Sequence, residues 1–318
     1  MKRKRAKKGV VPFLLMMAVV GIFVYQYVNF SRGFDEKPDE GIGPAPLLVA
    51  NPDASVAVIP DRLNSPYAIL IRLGDNVILM EKNSEERIYA ASLTKMMTTL
   101  VALENLPHLQ EKVQLSPSMF QELYKADASL AGFLPDENVR AIDLLYGAML
   151  PSGAECCIGL ANEIAGSEKK FVKKMNQKAE ALGMVNSHFE NTTGLHHENH
   201  YTTAKDMALL LSYALKNDTF REVFTSTRYS TQPTNKHPDG ITFYSTMFEK
   251  LSDPSIEGGE ILGGETGYTQ EAGLCLASLA KEGDHEYILV TAGAKGNHES
   301  EQYNITDALA VYNRLGKY

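Results

Sequence analysis

The order of strand-forming and helix-forming segments restricts the fold of this chain more than any other feature of its sequence. Near the start, YAILIRL (67–73) and VILMEK (77–82) predict a hairpin with a Gly-Asp-Asn turn. Near the end, EILGGETGYT, AGLCLASLA and EYILVTAGA, all within 260–294, predict three strands separated by short turns. Helical periodicity dominates between the two sets. We therefore expect an α+β fold in which an antiparallel five-stranded sheet, built from both ends of the chain, carries a helical insert.

The clearest predicted helices of this insert carry apolar residues at helical spacing. They are Ala141–Leu150, Glu155–Ala165, Glu168–Leu182 and Ala204–Lys216, and a further helix, about Tyr303–Leu315, closes the chain. The stretch 221–257 is polar and rich in loop-forming residues, so we expect mostly loops there.

The amino-terminal residues predict a membrane anchor. Six basic residues in MKRKRAKK precede the apolar run Val10–Val28, which is long enough for a bilayer-spanning helix of ~20 residues. A cleavable signal peptide is the alternative, but the run is long for one and no A-x-A-like site follows. We expect a transmembrane signal anchor over 10–30, a basic cytoplasmic flank over 1–9, a flexible linker over 31–53 and one extracytoplasmic domain over 54–318. The protein would then be a single-pass protein of the cell membrane.

The charge balance argues against a nucleic-acid partner. The chain has 31 basic and 39 acidic residues, and removing the six amino-terminal basic residues leaves 25 against 39, a net charge of about −14 for the exported part. Three cysteines, of which Cys156 and Cys157 are adjacent, fit neither a disulfide framework nor a zinc pattern. We expect these two to be small buried hydrophobic residues on a helix.

The segment ASLTKMMTTL (91–100) combines a buried stripe with an unpaired lysine. The stripe consists of Leu93, Met96, Met97, Leu100 and Val101. Ser92 and Lys95 share a neighbouring face one turn apart, and none of the positions that could pair with the lysine on this helix is acidic.

A partly buried lysine without an acidic partner favours its neutral form, which can accept the proton of a serine hydroxyl and make Ser92 a nucleophile. A position in the first helical turn adds the helix dipole, which favours developing negative charge. The alternative is a surface lysine whose stem covers the stripe while its amine reaches solvent.

Two further segments accompany this S-x-x-K pattern: Ser152 in LPSGAE follows an apolar helix, and ETGYT lies on a predicted strand. With AASLTKMMTTL, FENTTGLHHENHYTTAKDMALL and GGETGYTQEAGLCLAS, they resemble the serine-type D-alanyl-D-alanine carboxypeptidases, which are low-molecular-mass penicillin-binding proteins among the penicillin-recognising serine enzymes. The resemblance covers about Tyr67 to Leu315 and implies a β-lactamase/transpeptidase-like fold.

The resemblance implies catalytic roles for three residues. Ser92 would be the acyl-ester nucleophile, Lys95 its general base, and Ser152 the relay of a proton to the leaving D-alanine amine. The reaction would remove the terminal D-alanine of peptidoglycan stem peptides ending in D-Ala-D-Ala, with β-lactams as inhibitors. No metal ion and no organic cofactor is implied.

The same resemblance places the substrate-binding residues Glu265, Thr266, Gly267 and Tyr268 on one strand. Thr266 would bind the terminal carboxylate of the substrate. The backbone N–H groups of Ser92 and Tyr268 would form an oxyanion hole, worth ~3 kcal/mol per donor by analogy with other acyl-transfer sites. Asn191 and Gly194 in NTTGL match a family segment that we interpret as scaffold.

The sequence departs from the family pattern at two positions. Ala154 replaces the usual asparagine of S-x-N, a loss that another amide would have to compensate. Glu265 replaces the lysine of K-T-G, so a cation that attracts the substrate carboxylate becomes, on the sequence alone, an anion. At ~4 Å and an effective dielectric constant of ~20, an attraction of ~4 kcal/mol would become a repulsion of similar size before screening. An anionic Glu265 would also favour the charged form of Lys95 and oppose its role as base.

Three interpretations of Glu265 follow. It is harmless because Thr266 and another cation, such as Lys295, hold the carboxylate. It shifts the substrate towards a peptide whose end is not a free carboxylate. Or it marks a catalytically weak or inactive homologue that binds peptidoglycan.

Other functions fit the sequence less well. His196, His197 and His200 invite a zinc site, but H-E-x-x-H is absent, and we expect exposed loop histidines. A β-lactamase would need a deacylating glutamate on a loop, for which the sequence offers no clear candidate. A non-enzymatic wall-binding or sensing protein would not need Ser92 and Lys95.

Overall fold

The computed structural model describes residues 46–50 and 62–315 of the chain. The strands are β1 (Val49–Ala50), β2 (Tyr67–Arg72), β3 (Val77–Lys82), β4 (Lys112–Gln114), β5 (Asn138–Arg140), β6 (Arg228–Ser230), β7 (Thr242–Tyr244), β8 (Ser255–Ile256), β9 (Gly259–Thr269), β10 (Gly273–Glu282) and β11 (His285–Ala294). The helices are α1 (Thr94–Asn105), α2 (Pro117–Lys125), α3 (Ala141–Met149), α4 (Ala154–Ala165), α5 (Glu168–Ala181), α6 (Ala204–Ala214), α7 (Asp218–Thr225), α8 (Thr246–Lys250) and α9 (Tyr303–Tyr312).

The main sheet has seven strands in the order β1-β3-β2-β11-β10-β9-β8. The five long strands are those that the sequence predicts, and they pair antiparallel. The prediction of an antiparallel five-stranded sheet is nevertheless wrong, because β1 and β8 extend its two edges and β1 runs parallel to β3. Strands of two residues show no alternation of apolar and polar side chains, so no sequence pattern marks them. Val49 and Ala50 of β1 also fall within the predicted linker.

Both faces of the central strands are covered, which explains their almost continuous apolar sequences. On one face, Ile305, Val311 and Tyr312 of α9 belong to a buried cluster with Leu276 and Leu289 of the sheet. The alternate residues of β2, among them Ile69 and Ile71, are also fully buried, and α6 contacts β2 and β11. The sheet therefore forms the middle layer between α9 and the helical insert.

Helix α1 is the centre of the insert, because it contacts α3, α4, α5 and α6. All five residues of the predicted apolar stripe are buried, which confirms that prediction. Thr203 caps the start of α6, since its Oγ1 accepts a hydrogen bond from the backbone N–H of Asp206 at 3.0 Å.

The stretch 221–257 is rich in loops, as expected, but it also contains short regular elements that the sequence analysis does not predict. This stretch contains the end of α7, the antiparallel pair β6–β7, helix α8 and strand β8. The sequence analysis also misses α2 and the pair β4–β5. These elements are short, and buried residues such as Phe220, Phe243 and Met247 anchor them through tertiary packing rather than through a long periodic pattern.

The predicted flank 1–9, the predicted anchor 10–30 and almost all of the predicted linker 31–53 lie outside the described residues. Within 46–50 and 62–315, no helix is both long enough and apolar enough to span a bilayer.

Asp307 on α9 ties the last helix to the chain that enters β2. Its Oδ1 accepts hydrogen bonds from the backbone and side-chain nitrogens of Asn64 at 2.9 and 3.0 Å, and its Oδ2 accepts one from the backbone N–H of Ser65 at 2.7 Å. Asp307 is 1% exposed.

We expect Asp307→Ala to lower the free energy of unfolding by ~2–3 kcal/mol, because it leaves buried N–H groups without an acceptor. Urea unfolding of the purified protein measures this change. Thr306→Ala, an exposed position on the same helix, should change the value by less than ~0.5 kcal/mol. Equal effects of the two substitutions would contradict this role for Asp307.

Candidate active site

Ser92 and Lys95 lie at the start of the central helix. Ser92 belongs to a 3₁₀ turn, Ala91–Leu93, that leads directly into α1. Lys95 is only 3% exposed, and its Nζ donates hydrogen bonds of 2.9 Å to Ser92 Oγ and to the backbone carbonyl of Thr193. When Lys95 is neutral, the first contact can carry the proton in the other direction, from the Ser92 hydroxyl to the amine.

The loop after α5, which contains NTTGL, packs against the 3₁₀ turn of Ser92. Ala91 has the left-handed φ of 46°, which is unusual for a residue with a Cβ. Gly194 has a φ of 83°, and a Cβ added to it would lie 1.8 Å from the carbonyl oxygen of Ala91. Asn191 Oδ1 accepts hydrogen bonds from the N–H groups of Gly194 at 2.7 Å and Thr193 at 3.2 Å. NTTGL therefore shapes the Ser92 turn and presents the Thr193 carbonyl to Lys95.

Ser152 lies in the short connection between α3 and α4. Its φ of 60° is left-handed, and it is 5% exposed. A Cβ on the next residue, Gly153, would lie 2.8 Å from the Gly147 carbonyl, so this connection packs tightly against the end of α3. The geometry directs the Ser152 hydroxyl to Glu265 on β9, whose Oε1 accepts its hydrogen bond at 3.1 Å.

Glu265 is fully buried, and this changes its expected charge. Burial raises the pKa of its carboxyl well above the usual range, although the nearby Lys95 and the hydrogen bond from Ser152 favour the carboxylate. The repulsion expected from the sequence assumed an anion. This shift favours the neutral form of the carboxyl, which would exert no charge repulsion on a substrate carboxylate.

The next three residues of β9 pass beside the Ser92 turn. A Cβ added to Gly267 would lie 3.0 Å from the backbone nitrogen of Ser92, so only glycine allows this approach. Thr266 Oγ1 forms a hydrogen bond of 2.8 Å with Thr246 Oγ1 at the start of α8. Tyr268 and Lys295 line the same cavity, of about 560 Å³, at the carboxyl-terminal end of β9. Two cationic residues, Arg87 and Lys295, line this cavity.

Ala154, at the position of the family's asparagine, is the first residue of α4 and is buried. The sequence analysis notes that another amide would have to compensate for the missing asparagine. In the structure the second acceptor of Lys95 is the main-chain carbonyl of Thr193. A carbonyl group is common to all residues, so no sequence signal could have identified it.

Sequence reasoning also misses Glu155, the residue after Ala154. Its side chain is fully buried, and its Oε1 accepts hydrogen bonds from the N–H groups of Ala131, Gly132 and Phe133 at 2.7, 3.0 and 3.3 Å. Burial raises the pKa of Glu155 to about 7, against the effect of these donors. The only signal was its place within SGAE, next to Ser152.

The three histidines of LHHENH have different environments. His196 and His197 are exposed, as expected. His200 is 3% exposed and shares a hydrogen bond of 2.9 Å with Thr94 Oγ1, so the expectation of an exposed loop histidine is wrong for this residue. Burial lowers the pKa of His200 to about 4, which keeps it neutral. In the described part of the chain, no cluster of three or more His, Cys, Asp or Glu side chains could hold a metal ion.

All three cysteines lie in the described residues, where they are buried and unpaired. Cys156 and Cys157 lie on α4, which confirms their prediction as small buried residues of a helix.

The sheet, the helical insert and the Ser-Lys pair have the arrangement of the α+β transpeptidase-like fold. The crystal structure of the Streptomyces K15 DD-transpeptidase matches this structure with a TM-score of 0.72 and 28% sequence identity, over 79% of this chain and 97% of that one. The chain belongs to the D-alanyl-D-alanine carboxypeptidase family, peptidase family S11, whose model matches residues 54–296. The resemblance inferred from the motifs is therefore confirmed.

Two relatives show the extent of the similarity. The D-alanyl-D-alanine carboxypeptidase DacF of Bacillus subtilis is 37% identical over 235 residues, which are 71% of this chain and 57% of that protein. DacC of Escherichia coli is 30% identical over 285 residues, 85% of this chain and 66% of that protein. The chain thus spans less than two thirds of the length of these relatives.

The contact behind Ser92 can be tested with one glycine substitution. We expect Gly194→Ala to lower the free energy of unfolding by ~4 kcal/mol or more, because the new Cβ would overlap the Ala91 carbonyl. Gly183→Ala is the matched control: Gly183 has a similar φ of 76° but open space around it. It should cost only the ~1–2 kcal/mol of the left-handed backbone. Urea unfolding of both variants checks the difference, and equal losses would contradict the close approach.

Glu155 should make stability depend on pH. Its pKa is raised in the folded state, so its stabilising contribution is complete below its unfolded pKa of about 4.5 and is lost as the pH rises through about 7. Relative to Glu155→Gln, the parent should lose about 3 kcal/mol of unfolding free energy between pH 4.5 and pH 8. Urea unfolding across this range measures the difference. Glu163→Gln, an exposed position on the same helix, should follow the parent, and a parallel course of parent and Glu155→Gln would refute the shift.

Proposed function

We propose that this chain is a serine D,D-carboxypeptidase that removes the terminal D-alanine from peptidoglycan stem peptides ending in D-Ala-D-Ala. The observation that carries the proposal is the buried amine of Lys95, held 2.9 Å from Ser92 Oγ without an ion pair among the described residues. Family membership and the DD-peptidase names of the relatives support the choice of substrate.

The acylation step follows from the positions of these side chains. Lys95 takes the proton of Ser92 as Oγ attacks the carbonyl carbon of the penultimate D-alanine. The backbone N–H groups of Ser92 and Tyr268 stabilise the oxyanion. The amide bond breaks when Ser152 donates its proton to the leaving nitrogen and receives one from the Lys95 ammonium. D-alanine leaves, and the peptide remains as an ester on Ser92.

Deacylation repeats these steps with water as the nucleophile. Lys95 accepts a proton from the attacking water, the ester bond breaks, and Ser92 Oγ recovers its proton. The peptide leaves one residue shorter.

A β-lactam offers Ser92 a strained amide carbonyl, and its acyl group stays tethered after ring opening, so we propose β-lactams as inhibitors of the same site.

The terminal carboxylate of the substrate needs a cation that residue 265 does not supply. We assign this role to Lys295, with Thr266 as hydroxyl donor. Lys295 is exposed and lines the same cavity as Tyr268, two residues beyond Thr266. This supports the interpretation in which the replacement of the K-T-G lysine is tolerated, because a cation follows β11, two strands away from β9 in the sheet.

We also propose that residues 10–30 anchor the chain in the cell membrane and that the catalytic domain, 54–318, lies outside the cytoplasm. The support is the basic flank followed by the apolar run, together with a peptidoglycan substrate that lies outside the membrane.

Release of D-alanine tests the proposal. We expect the full-length protein in detergent to release D-alanine from a peptide ending in D-Ala-D-Ala and to form a covalent adduct with a fluorescent penicillin. Ser92→Ala should reduce both to background because it removes the nucleophile. Ser118→Ala, a surface serine on α2, should retain both. A parent without release or adduct, or a Ser92→Ala variant with full release, would refute the proposed function.

A further inference from the structure

We infer that Glu265 is a positioning residue that works as a neutral carboxylic acid and holds the hydroxyl of Ser152 for acyl transfer. The catalytic part of this inference rests on the proposed function, whereas the protonation state of the Glu265 carboxyl does not depend on it. The inference rests on the small number of hydrogen bonds that the Glu265 carboxyl accepts.

The hydrogen bonds of Glu265 do not suit an anion. A carboxylate can accept about four hydrogen bonds. Glu265 accepts one, from Ser152, and its Oε2 is buried without a partner in the described part of the structure. An ionised carboxylate in this position would have lost its hydration without compensation.

Two other buried carboxylates of this chain, Glu137 and Asp143, accept more hydrogen bonds than Glu265 does. Glu137, also fully buried, accepts hydrogen bonds from Thr234 Oγ1, from the Leu134 N–H and, through its Oε1, pairs with His237. Asp143 pairs with Arg140 and accepts a hydrogen bond from Tyr229. The fold thus surrounds these carboxylates with several donors but gives Glu265 a single hydroxyl.

Lys95 does not serve as the counter-ion of Glu265. The hydrogen bonds of its ammonium go to Ser92 and Thr193, and no ion pair joins it to Glu265 among the described residues. The two groups are nevertheless close enough for the charge of Lys95 to act on Glu265. A neutral Glu265 therefore leaves Lys95 free to lose its proton and act as base, which an anion at this distance would oppose.

The neutral acid gives Ser152 a defined orientation. Before the reaction, the hydroxyl of Ser152 donates its hydrogen bond to Glu265 Oε1, which holds Oγ in place. When the amide bond breaks, this proton turns from Glu265 to the leaving nitrogen while Oγ accepts the proton of the Lys95 ammonium. The backbone of Ser152 is also held in the left-handed conformation, with a φ of 60°. Glu265 keeps its proton throughout the reaction and acts only through Ser152.

The titratable groups around Glu265 determine how activity should change at high pH. They are Lys95 on α1 and Cys157 on α4, and burial raises the pKa of the Cys157 thiol to about 12, which keeps it neutral. When alkaline pH removes the proton of Glu265, a negative charge appears beside Lys95 and favours the ammonium. Activity should therefore fall at alkaline pH in the parent, and this loss should be absent when residue 265 cannot ionise.

Three substitutions in the full-length protein test this inference. Glu265→Gln keeps the size, the neutral charge and the acceptor oxygen. Glu265→Leu removes the acceptor. Glu260→Gln makes the same change at an exposed position of the same strand and serves as the matched control. The measurements are kcat and KM for D-alanine release between about pH 6 and pH 10, and the infrared difference spectrum of parent against each glutamine variant.

We expect Glu265→Gln to keep kcat within about threefold at pH 7 and to lose the alkaline decline, while Glu260→Gln matches the parent throughout. Glu265→Leu should lower kcat about tenfold or more with little change in KM, since it releases the Ser152 hydroxyl. At pH 7 the difference spectrum of parent minus Glu265→Gln should show the carbonyl band of a protonated carboxylic acid, and that of parent minus Glu260→Gln should not, because the acid band of Glu155 cancels in both.

The outcomes separate this inference from the proposed function. A parent that shows the acid band but releases no D-alanine keeps the neutral acid and refutes the carboxypeptidase. A missing acid band, or a Glu265→Gln variant as slow as Glu265→Leu, overturns the inference while D-alanine release by the parent still supports the enzyme. If Glu265→Leu does not fold, the glutamine variant and the infrared band still decide.

Discussion

The site depends on one buried amine, that of Lys95, which has no carboxylate partner among the described residues. Lys95 lies on the helix that the rest of the insert surrounds, and its two acceptors come from different parts of the chain: Ser92 from the preceding turn and Thr193 from the loop after α5. Removing an amine from water is unfavourable unless its hydrogen bonds are replaced. The fold replaces them with a hydroxyl and a carbonyl, neither of which is an anion. This arrangement is the one that the proposed role of Lys95 as a base requires.

Glycine determines how closely the surrounding elements approach this amine. Gly194 lets the loop touch the carbonyl of Ala91, and Gly267 lets strand β9 pass the nitrogen of Ser92. Any side chain at either position would push the loop or the strand away from the nucleophile. Left-handed backbone at Ala91 and Ser152 stores strain at the same place, which the packing of α1, α3 and α4 maintains.

The sequence predicts the long elements and the candidate site residues, but not their environment. Five long strands, the longer helices of the insert and the family follow from periodicity and from the motifs around Ser92, Ser152 and Thr266. The edge strands β1 and β8 are too short to leave a pattern, and α8 depends on tertiary packing. The carbonyl of Thr193 carries no sequence signal at all. For Glu265, the residue type alone indicates a negative charge, and only the burial around it shows otherwise.

This last difference bears on how substitutions in catalytic motifs should be interpreted. Replacing the lysine of K-T-G by glutamate looks like an inversion of charge, which would disable binding of an anionic substrate. At a fully buried position next to one hydroxyl, burial raises the pKa of the carboxyl and favours its neutral form. A neutral Glu265 would remove one positive charge from the motif instead of reversing it. The charge at such a position therefore depends on its surroundings and not on the residue type alone.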